Sequence, residues 1–151
     1  MKFIPGTFGS LVTTIILYYF FHVLIISPNI ILLFLIIIFI YSFYAVSSHI
    51  ENNENKDPGE IIIDEFLGQS IPILFFYIIF YEGSVSNNFF FIIVFLSFVG
   101  FRFFDILKPY PINYVDKNMK NGFGVILDDL IAGFLTLIVL YICIIFYGQI
   151  Y

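Results

Sequence analysis

The chain has 151 residues, of which 61% are hydrophobic and only 11% charged. An ordinary soluble domain carries about 25% charge, so this composition excludes a water-soluble globule, and its hydrophobicity excludes a disordered tail. Six Lys and Arg against eleven Asp and Glu give a formal net charge of -5, which leaves no basic stripe for nucleic acid. The single cysteine, Cys143, excludes an internal disulfide, and there is no Cys/His cluster for zinc.

What remains is an integral membrane protein. No charged residue lies between Lys2 and Glu51. This stretch is too long for a cleaved signal peptide and long enough for two spans of about 20 apolar residues each. Ser27-Pro28-Asn29 is its one interruption and marks a tight turn. The first span is expected over roughly Ser10–Ile26 and the second over roughly Ile30–Val46. Ser48 to Glu60 is polar and ends in Asp57-Pro58-Gly59-Glu60. There Asp57 suits an N-cap, Pro58 the first helical position, and Glu60 the third residue after the cap. Span three runs from there to about Tyr81, with a kink expected at Pro72. Span four is expected over Phe89–Leu107, stopped by Lys108-Pro109 and Pro111. Tyr110 to Gly124 reads as a polar loop, and span five runs from near Val125 to about Tyr147.

Five spans put Lys2, Lys56, Lys117 and Lys120 on the side of the N-terminus, with Arg102 and Lys108 at its edge. The other side has no Lys or Arg, so the positive-inside rule makes the first side cytoplasmic. Four spans would divide the lysines between the faces. The expectation is an all-α, polytopic membrane helix bundle of about five transmembrane helices, a single domain over residues 1–151 with its N-terminus in the cytoplasm.

Six charges break the apolar pattern: Asp64 and Glu65 in span three, Arg102 and Asp105 in span four, Asp128 and Asp129 in span five. Charge near mid-bilayer costs about 2.5–3.5 kcal/mol on insertion scales. All six instead fall within two turns of the cytoplasmic helix ends, at one depth on one face. Each has an ordinary reading by itself. Asp128 and Asp129 suit a helix N-terminus, Asp64 and Glu65 suit a wet membrane surface, and Arg102 and Asp105 are spaced to pair with each other. Together they are an excess of carboxylate, and a bound multivalent cation resolves it. Hard oxygen ligands without thiolate or imidazole select magnesium, or else manganese or calcium. Magnesium is typically shared between carboxylates and a substrate phosphate, and Arg102 and Lys108 are then placed to hold phosphate oxygens.

Pro5-Gly6-Thr7-Phe8-Gly9-Ser10 runs into span one on the same face. Its glycines allow backbone N–H groups to approach an anion at a helix N-terminus, and Thr7 and Ser10 add hydroxyl donors. Gly122-Phe123-Gly124 gives a flexible approach to Asp128 and Asp129. Gln69, one turn past Glu65, is placed to orient it through a hydrogen bond. His22 reads as an interior residue, and His49, Glu82 and Asp116 as surface residues.

At these residues the sequence resembles the phosphatidylglycerophosphatase A family of bacterial inner-membrane lipid phosphatases. Four stretches carry the resemblance, in the family's order and over nearly the whole chain. They are Pro5-Gly6-Thr7-Phe8-Gly9-Ser10-Leu11; the run from Asp57-Pro58-Gly59-Glu60 through Asp64-Glu65-Phe66-Leu67-Gly68-Gln69; Phe101-Arg102-Phe103-Phe104-Asp105-Ile106-Leu107-Lys108-Pro109-Tyr110-Pro111-Ile112; and Gly122-Phe123-Gly124 through Asp128-Asp129-Leu130-Ile131-Ala132-Gly133. The third and fourth are long and specific. Family members usually carry a further Gly-rich segment before the Pro-Gly-Thr motif, and Pro72 and the lack of Trp are atypical.

The resemblance implies magnesium-dependent hydrolysis of phosphatidylglycerophosphate to phosphatidylglycerol and phosphate at the cytoplasmic face of the inner membrane. It also implies that Asp64, Glu65, Arg102, Asp105, Lys108, Asp128 and Asp129 matter. On this reading Asp64, Glu65, Asp105, Asp128 and Asp129 supply metal ligands and catalytic carboxylates, and Arg102, Lys108, Thr7 and Ser10 bind the phosphate. The attacking group is either a metal-bound water or an aspartate. The competing reading is a small ion or proton carrier, because intramembrane carboxylates line such paths. Against it, the far halves of spans three to five hold little beyond aromatic and aliphatic residues.

Overall fold

The computed structural model describes residues 4–52, 62–81, 86–119 and 121–150. Six helices account for nearly all of them, and no strand occurs among them. They are α1 (Ile4–His22), α2 (Pro28–Asn52), α3 (Ile63–Phe80), α4 (Asn87–Leu107), α5 (Ile112–Asn118) and α6 (Gly122–Ile150). Four are long and apolar enough to cross a membrane, over Pro28–Val46, Ile63–Phe80, Asn87–Leu107 and Gly122–Tyr147. The charge-free, 19-residue α1 is the fifth long helix, so the long helices match the five expected spans in number and order. This is a helical membrane bundle, and its outward face is apolar: α2, for example, exposes Leu33, Ile37, Ile40 and Tyr44.

The helix boundaries follow local chemistry. Ser27 supplies the carbonyl that accepts from the N–H groups of Ile30 and Ile31, and Pro28 takes the first position of α2, where no N–H is needed. Ser86 caps α4 by accepting from the Phe89 N–H at 3.3 Å. Lys108 ends α4 in a left-handed conformation (φ 43, ψ 57) with its N–H on the Phe104 carbonyl, and Pro109 cannot continue the helix. Asn121 caps α6 by accepting from the Gly124 N–H at 2.8 Å.

Three expectations change. First, α1 begins at Ile4, so the Pro-Gly-Thr-Phe-Gly-Ser run lies inside the helix instead of forming a turn ahead of it. Second, α6 begins at Gly122, so Gly122-Phe123-Gly124 is helical as well. Third, the Tyr110–Gly124 loop contains α5, which docks by burying Ile112 and Val115 at i, i+3; Ile112 packs with Phe101 of α4 and Ala132 of α6. The expected cap at Asp57, the position of Glu82 and the side chain of His49 lie outside the described residues. Pro72 is buried within α3, which continues through it.

The most extensive contact is between α3 and α6. It is close because small residues face each other: a Cβ on Gly133 would strike the Gly68 carbonyl, and one on Gly68 would strike the Asp129 carbonyl and the Phe101 ring. Small residues at a membrane helix interface let backbones approach. Away from the charges, Leu17, Phe21, Ile31, Leu35, Ile73, Leu74, Tyr77, Phe90 and Val94 form one apolar cluster. Within it Phe21 and Tyr77 stack at 3.8 Å between centroids, and the Tyr77 hydroxyl donates to the Ile26 carbonyl at 3.0 Å, fastening α3 to the α1–α2 turn.

Candidate active site

The N-terminal ends of α1, α3 and α6 and the C-terminal end of α4 gather at one end of the bundle, and each contributes a polar side chain. Asp64 and Glu65 sit in the first turn of α3. Asp129 sits in the second turn of α6, brought alongside by the Gly68–Gly133 approach. One carboxylate oxygen from each of these three residues lies within 4.8 Å of the others. Asp64 is 6% and Asp129 5% exposed. Among the described residues, no lysine or arginine forms an ion pair with any of the three.

The other two expected ligands are occupied differently. Asp105 Oδ2 is 2.6 Å from Arg102 Nη1, an i, i+3 pair on α4. Asp128 Oδ2 is 2.7 Å from Lys108 Nζ. The five carboxylates therefore divide into a trio without an ion-pair partner among the described residues and two members each paired with a basic residue. The Arg102–Asp105 spacing was readable as a pair in the sequence. The Lys108–Asp128 pair joins residues 20 apart on different elements and was not.

Arg102 is buried, at 9% exposure. Its Nη1 also donates to Ser10 Oγ at 3.4 Å, and Ser10 in turn donates to the Gly6 carbonyl at 2.8 Å. Its Nε has no partner, and neither does Glu65 Oε2, although both are buried. Buried polar atoms are nearly always satisfied, so these two have hydrogen-bonding capacity left for a ligand. The α1 glycines serve packing: a Cβ at Gly6 would overlap Glu65 Oε1, and one at Gly9 would overlap Ile62. The loop-like anion cradle expected at this motif is thus replaced by a helix whose missing side chains make room for Glu65 and Arg102. Thr7 is half-buried on the same turn of α1. Likewise a Cβ at Gly124 would strike the Met119 carbonyl, so this glycine admits a close backbone contact.

Asp116, read as a surface residue, is indeed exposed, but it lies 2.5 Å from Lys108 Nζ. Lys108 thus bridges α5 and α6. Burial works against its charge, but Asp128 and Asp116 outweigh that and hold the ammonium above the ordinary lysine range. The expected bond from Gln69 to Glu65 is absent: Gln69 is fully buried and both its amide atoms lack partners. His22 lies at the other end of α1 and packs on Tyr18 at 5.1 Å between centroids.

The donor set suits a hard divalent cation. Ligands at about 2.0–2.1 Å from magnesium stand at most about 4.2 Å apart, the trio's oxygens already lie within 4.8 Å of one another, and the free Glu65 Oε2 adds a further oxygen. Arg102 Nε, next to Glu65, and the Lys108 ammonium, held on Asp128 immediately before Asp129, have donor capacity for an anion. A carbonate-, carboxylate- or phosphate-like group facing an acidic metal site is the chemistry these atoms accommodate, and phosphate fits best the pairing of an arginine fork with a cation.

Comparison with known proteins gives a consistent result. The family model for phosphatidylglycerophosphatase A matches residues 1–144. A Haemophilus influenzae protein named phosphatidylglycerophosphatase A is 34% identical over 137 residues, covering 91% of this chain and 77% of that protein. A Bacteroides thetaiotaomicron protein provisionally named phosphatidylinositol-3-phosphatase is 30% identical over 139 residues, covering 91% of this chain and 82% of its own length. Escherichia coli phosphatidylglycerophosphatase A is 33% identical over 85 residues, 56% of this chain and 44% of that protein. No solved structure matches.

Proposed function

Because the chain belongs to the phosphatidylglycerophosphatase A family, a family of phosphoric monoester hydrolases, we propose that it hydrolyses phosphatidylglycerophosphate to phosphatidylglycerol and phosphate. The observation that carries this reading is the trio of buried Asp64 and Asp129 with half-buried Glu65, one oxygen of each converging within 4.8 Å, together with the unpartnered Nε of Arg102. The site faces the cytoplasm at the bacterial inner membrane, as the lysine distribution along the chain suggests. The acyl chains stay in the leaflet while the terminal phosphate enters the polar end of the bundle.

Asp64, Glu65 and Asp129 would hold magnesium, which supplies polarisation of the phosphate and a lowered pKa for a bound water. Arg102 donates from Nε to a phosphate oxygen, and its ion pair with Asp105 and its contact with Ser10 fix the guanidinium plane. Lys108 uses two of its three protons on Asp116 and Asp128 and has one left for phosphate. Together they stabilise charge on the equatorial oxygens as the ester bond breaks. A trio carboxylate oxygen not engaged elsewhere accepts the proton of the attacking water and returns it to the departing glycerol oxygen, giving the alcohol and phosphate. Asp105 and Asp128 serve through the basic residues they hold.

A carrier requires a polar route through the far half of the bundle. The apolar cluster around Leu17, Phe21, Ile73, Tyr77 and Phe90 fills that region, which favours the enzyme. The testing experiment is phosphate release by the purified full chain from mixed micelles of phosphatidylglycerophosphate, and separately of phosphatidylinositol 3-phosphate, with and without chelator. Magnesium-dependent release from the first supports the reading. Release from the second alone shifts the substrate to an inositol lipid, and release from neither rejects both.

A further inference from the structure

We propose that Asp116, on the short helix α5, is a positioning residue that holds Lys108 in reach of the substrate phosphate; this rests on the lipid-phosphatase reading. Lysine is a point charge on a flexible four-carbon stem, and one ion pair leaves such a stem free to swivel. Here both ends are fixed. The backbone of Lys108 is held in the left-handed region, with its N–H on the Phe104 carbonyl at 2.8 Å and Pro109 following it. The ammonium is gripped from two elements, by Asp128 of α6 at 2.7 Å and by Asp116 of α5 at 2.5 Å. Two carboxylates on separate helices define the direction of the third N–H, which one alone does not.

The fold is built to keep Asp116 in that position. Ile112, fully buried, and Val115 anchor α5 against the bundle, with Ile112 packed between α4 and α6 through Phe101 and Ala132. Asp116 itself is 44% exposed at its side chain. An exposed ion pair contributes little to stability, so the contact is poorly explained as a structural brace and better explained by what it does to Lys108.

The test compares wild type, Asp116→Asn, Asp116→Ser, Asp116→Glu, Lys108→Ala and the double variant Asp116→Asn/Lys108→Ala, as full chains in detergent. With phosphatidylglycerophosphate, Asp116→Asn and Asp116→Ser should lower kcat/KM roughly tenfold or more, the scale of a slightly misplaced group, with unchanged thermal unfolding. Asp116→Glu should restore most of the loss. In the Lys108→Ala background, Asp116→Asn should have no further effect, because the two act as one unit. Wild-type kinetics in Asp116→Asn and Asp116→Ser, or losses that multiply in the double variant, would overturn the proposal. A second arm needs no lipid: acetylation of the Lys108 amine, followed by mass spectrometry, should be roughly tenfold faster in Asp116→Asn than in wild type. If wild type releases no phosphate, the lipid reading fails, while the acetylation arm still decides whether Asp116 restrains Lys108; equal labelling rates would reject it.

Discussion

The carbonyl of Gly68 on α3 abuts Gly133 on α6 so closely that a Cβ at Gly133 would overlap it. Pro72 brings no N–H to that carbonyl, since the residue four positions on is the one that would normally bond it. The carbonyl therefore borders the interface without an α-helical partner, and Gly133 leaves the space it needs. This contact sets the separation of the two helices that carry Asp64, Glu65 and Asp129.

Gly133→Ala is expected to be costly in two ways. Forcing a methyl against backbone costs about 1–3 kcal/mol, read as a lower thermal midpoint in detergent. It also pushes α6 from α3, so phosphate release should fall more than stability accounts for. Gly6→Ala is the contrasting case, because its added Cβ meets the movable end of Glu65. It should lower activity with little change in the midpoint, and an unchanged rate in Gly6→Ala would show that Glu65 need not stay where it is.

Arg102→Lys keeps the charge and removes the fork. Its Nε is buried with no partner, so the substitution deletes the donor assigned to phosphate. Activity should fall by about 10²–10³-fold, the scale for one lost transition-state donor. Steady-state phosphate release checks it, and a loss under threefold would remove Arg102 from the phosphate site.

Tyr77→Phe removes only the hydroxyl that donates to the Ile26 carbonyl at 3.0 Å. One such bond contributes about 0.5–1.5 kcal/mol, so the midpoint should drop modestly while kcat/KM stays at the wild-type value. Ile25 occupies the left-handed region at φ 50 in the same turn, a conformation that costs a β-branched residue about 1–2 kcal/mol. Ile25→Gly should raise the midpoint, again without effect on kinetics. Activity changes in either variant would mean that the far end communicates with the charges.

Much of this architecture was legible in the sequence because lipid leaves few options. Long charge-free runs punctuated by Ser27-Pro28-Asn29 and Lys108-Pro109 read directly as helices and their ends. Asp64, Glu65, Asp105, Asp128 and Asp129 all stood out because carboxylates are costly in apolar helices; the structure brings Asp64, Glu65 and Asp129 together and pairs Asp105 and Asp128 with Arg102 and Lys108. What was not legible is non-local. The glycines at 6, 9, 68, 124 and 133 serve close approaches between elements, and a single strand of sequence does not show which partner each admits. The same holds for Lys108, whose partners lie 8 and 20 residues away. Helix α5 was hidden by Pro109 and Pro111 just ahead of it and by its own polar residues, although Ile112 and Val115 carried the i, i+3 signal. Gln69 was assigned a hydrogen bond from spacing alone, and i, i+4 placement does not guarantee contact.

Buried Asp64 and Asp129 and half-buried Glu65 crowd one another, so removing one carboxylate should be tolerated when no cation is present. In chelator, Asp129→Asn is expected to unfold at a temperature equal to or above that of wild type, because a neutral amide replaces a buried charge. Added magnesium should raise the wild-type midpoint by linkage to the folded state and leave that of Asp129→Asn unmoved. A midpoint that magnesium shifts equally in both proteins would place the ion elsewhere.

The central claim is that Asp64, Glu65 and Asp129 jointly hold a divalent cation, and calorimetric titration of magnesium into the purified chain, without lipid, measures it most directly. Saturable binding in wild type, weakened at least about 100-fold in both Asp64→Asn and Asp129→Asn, is the expected result. Wild-type affinity in both folded variants would contradict it.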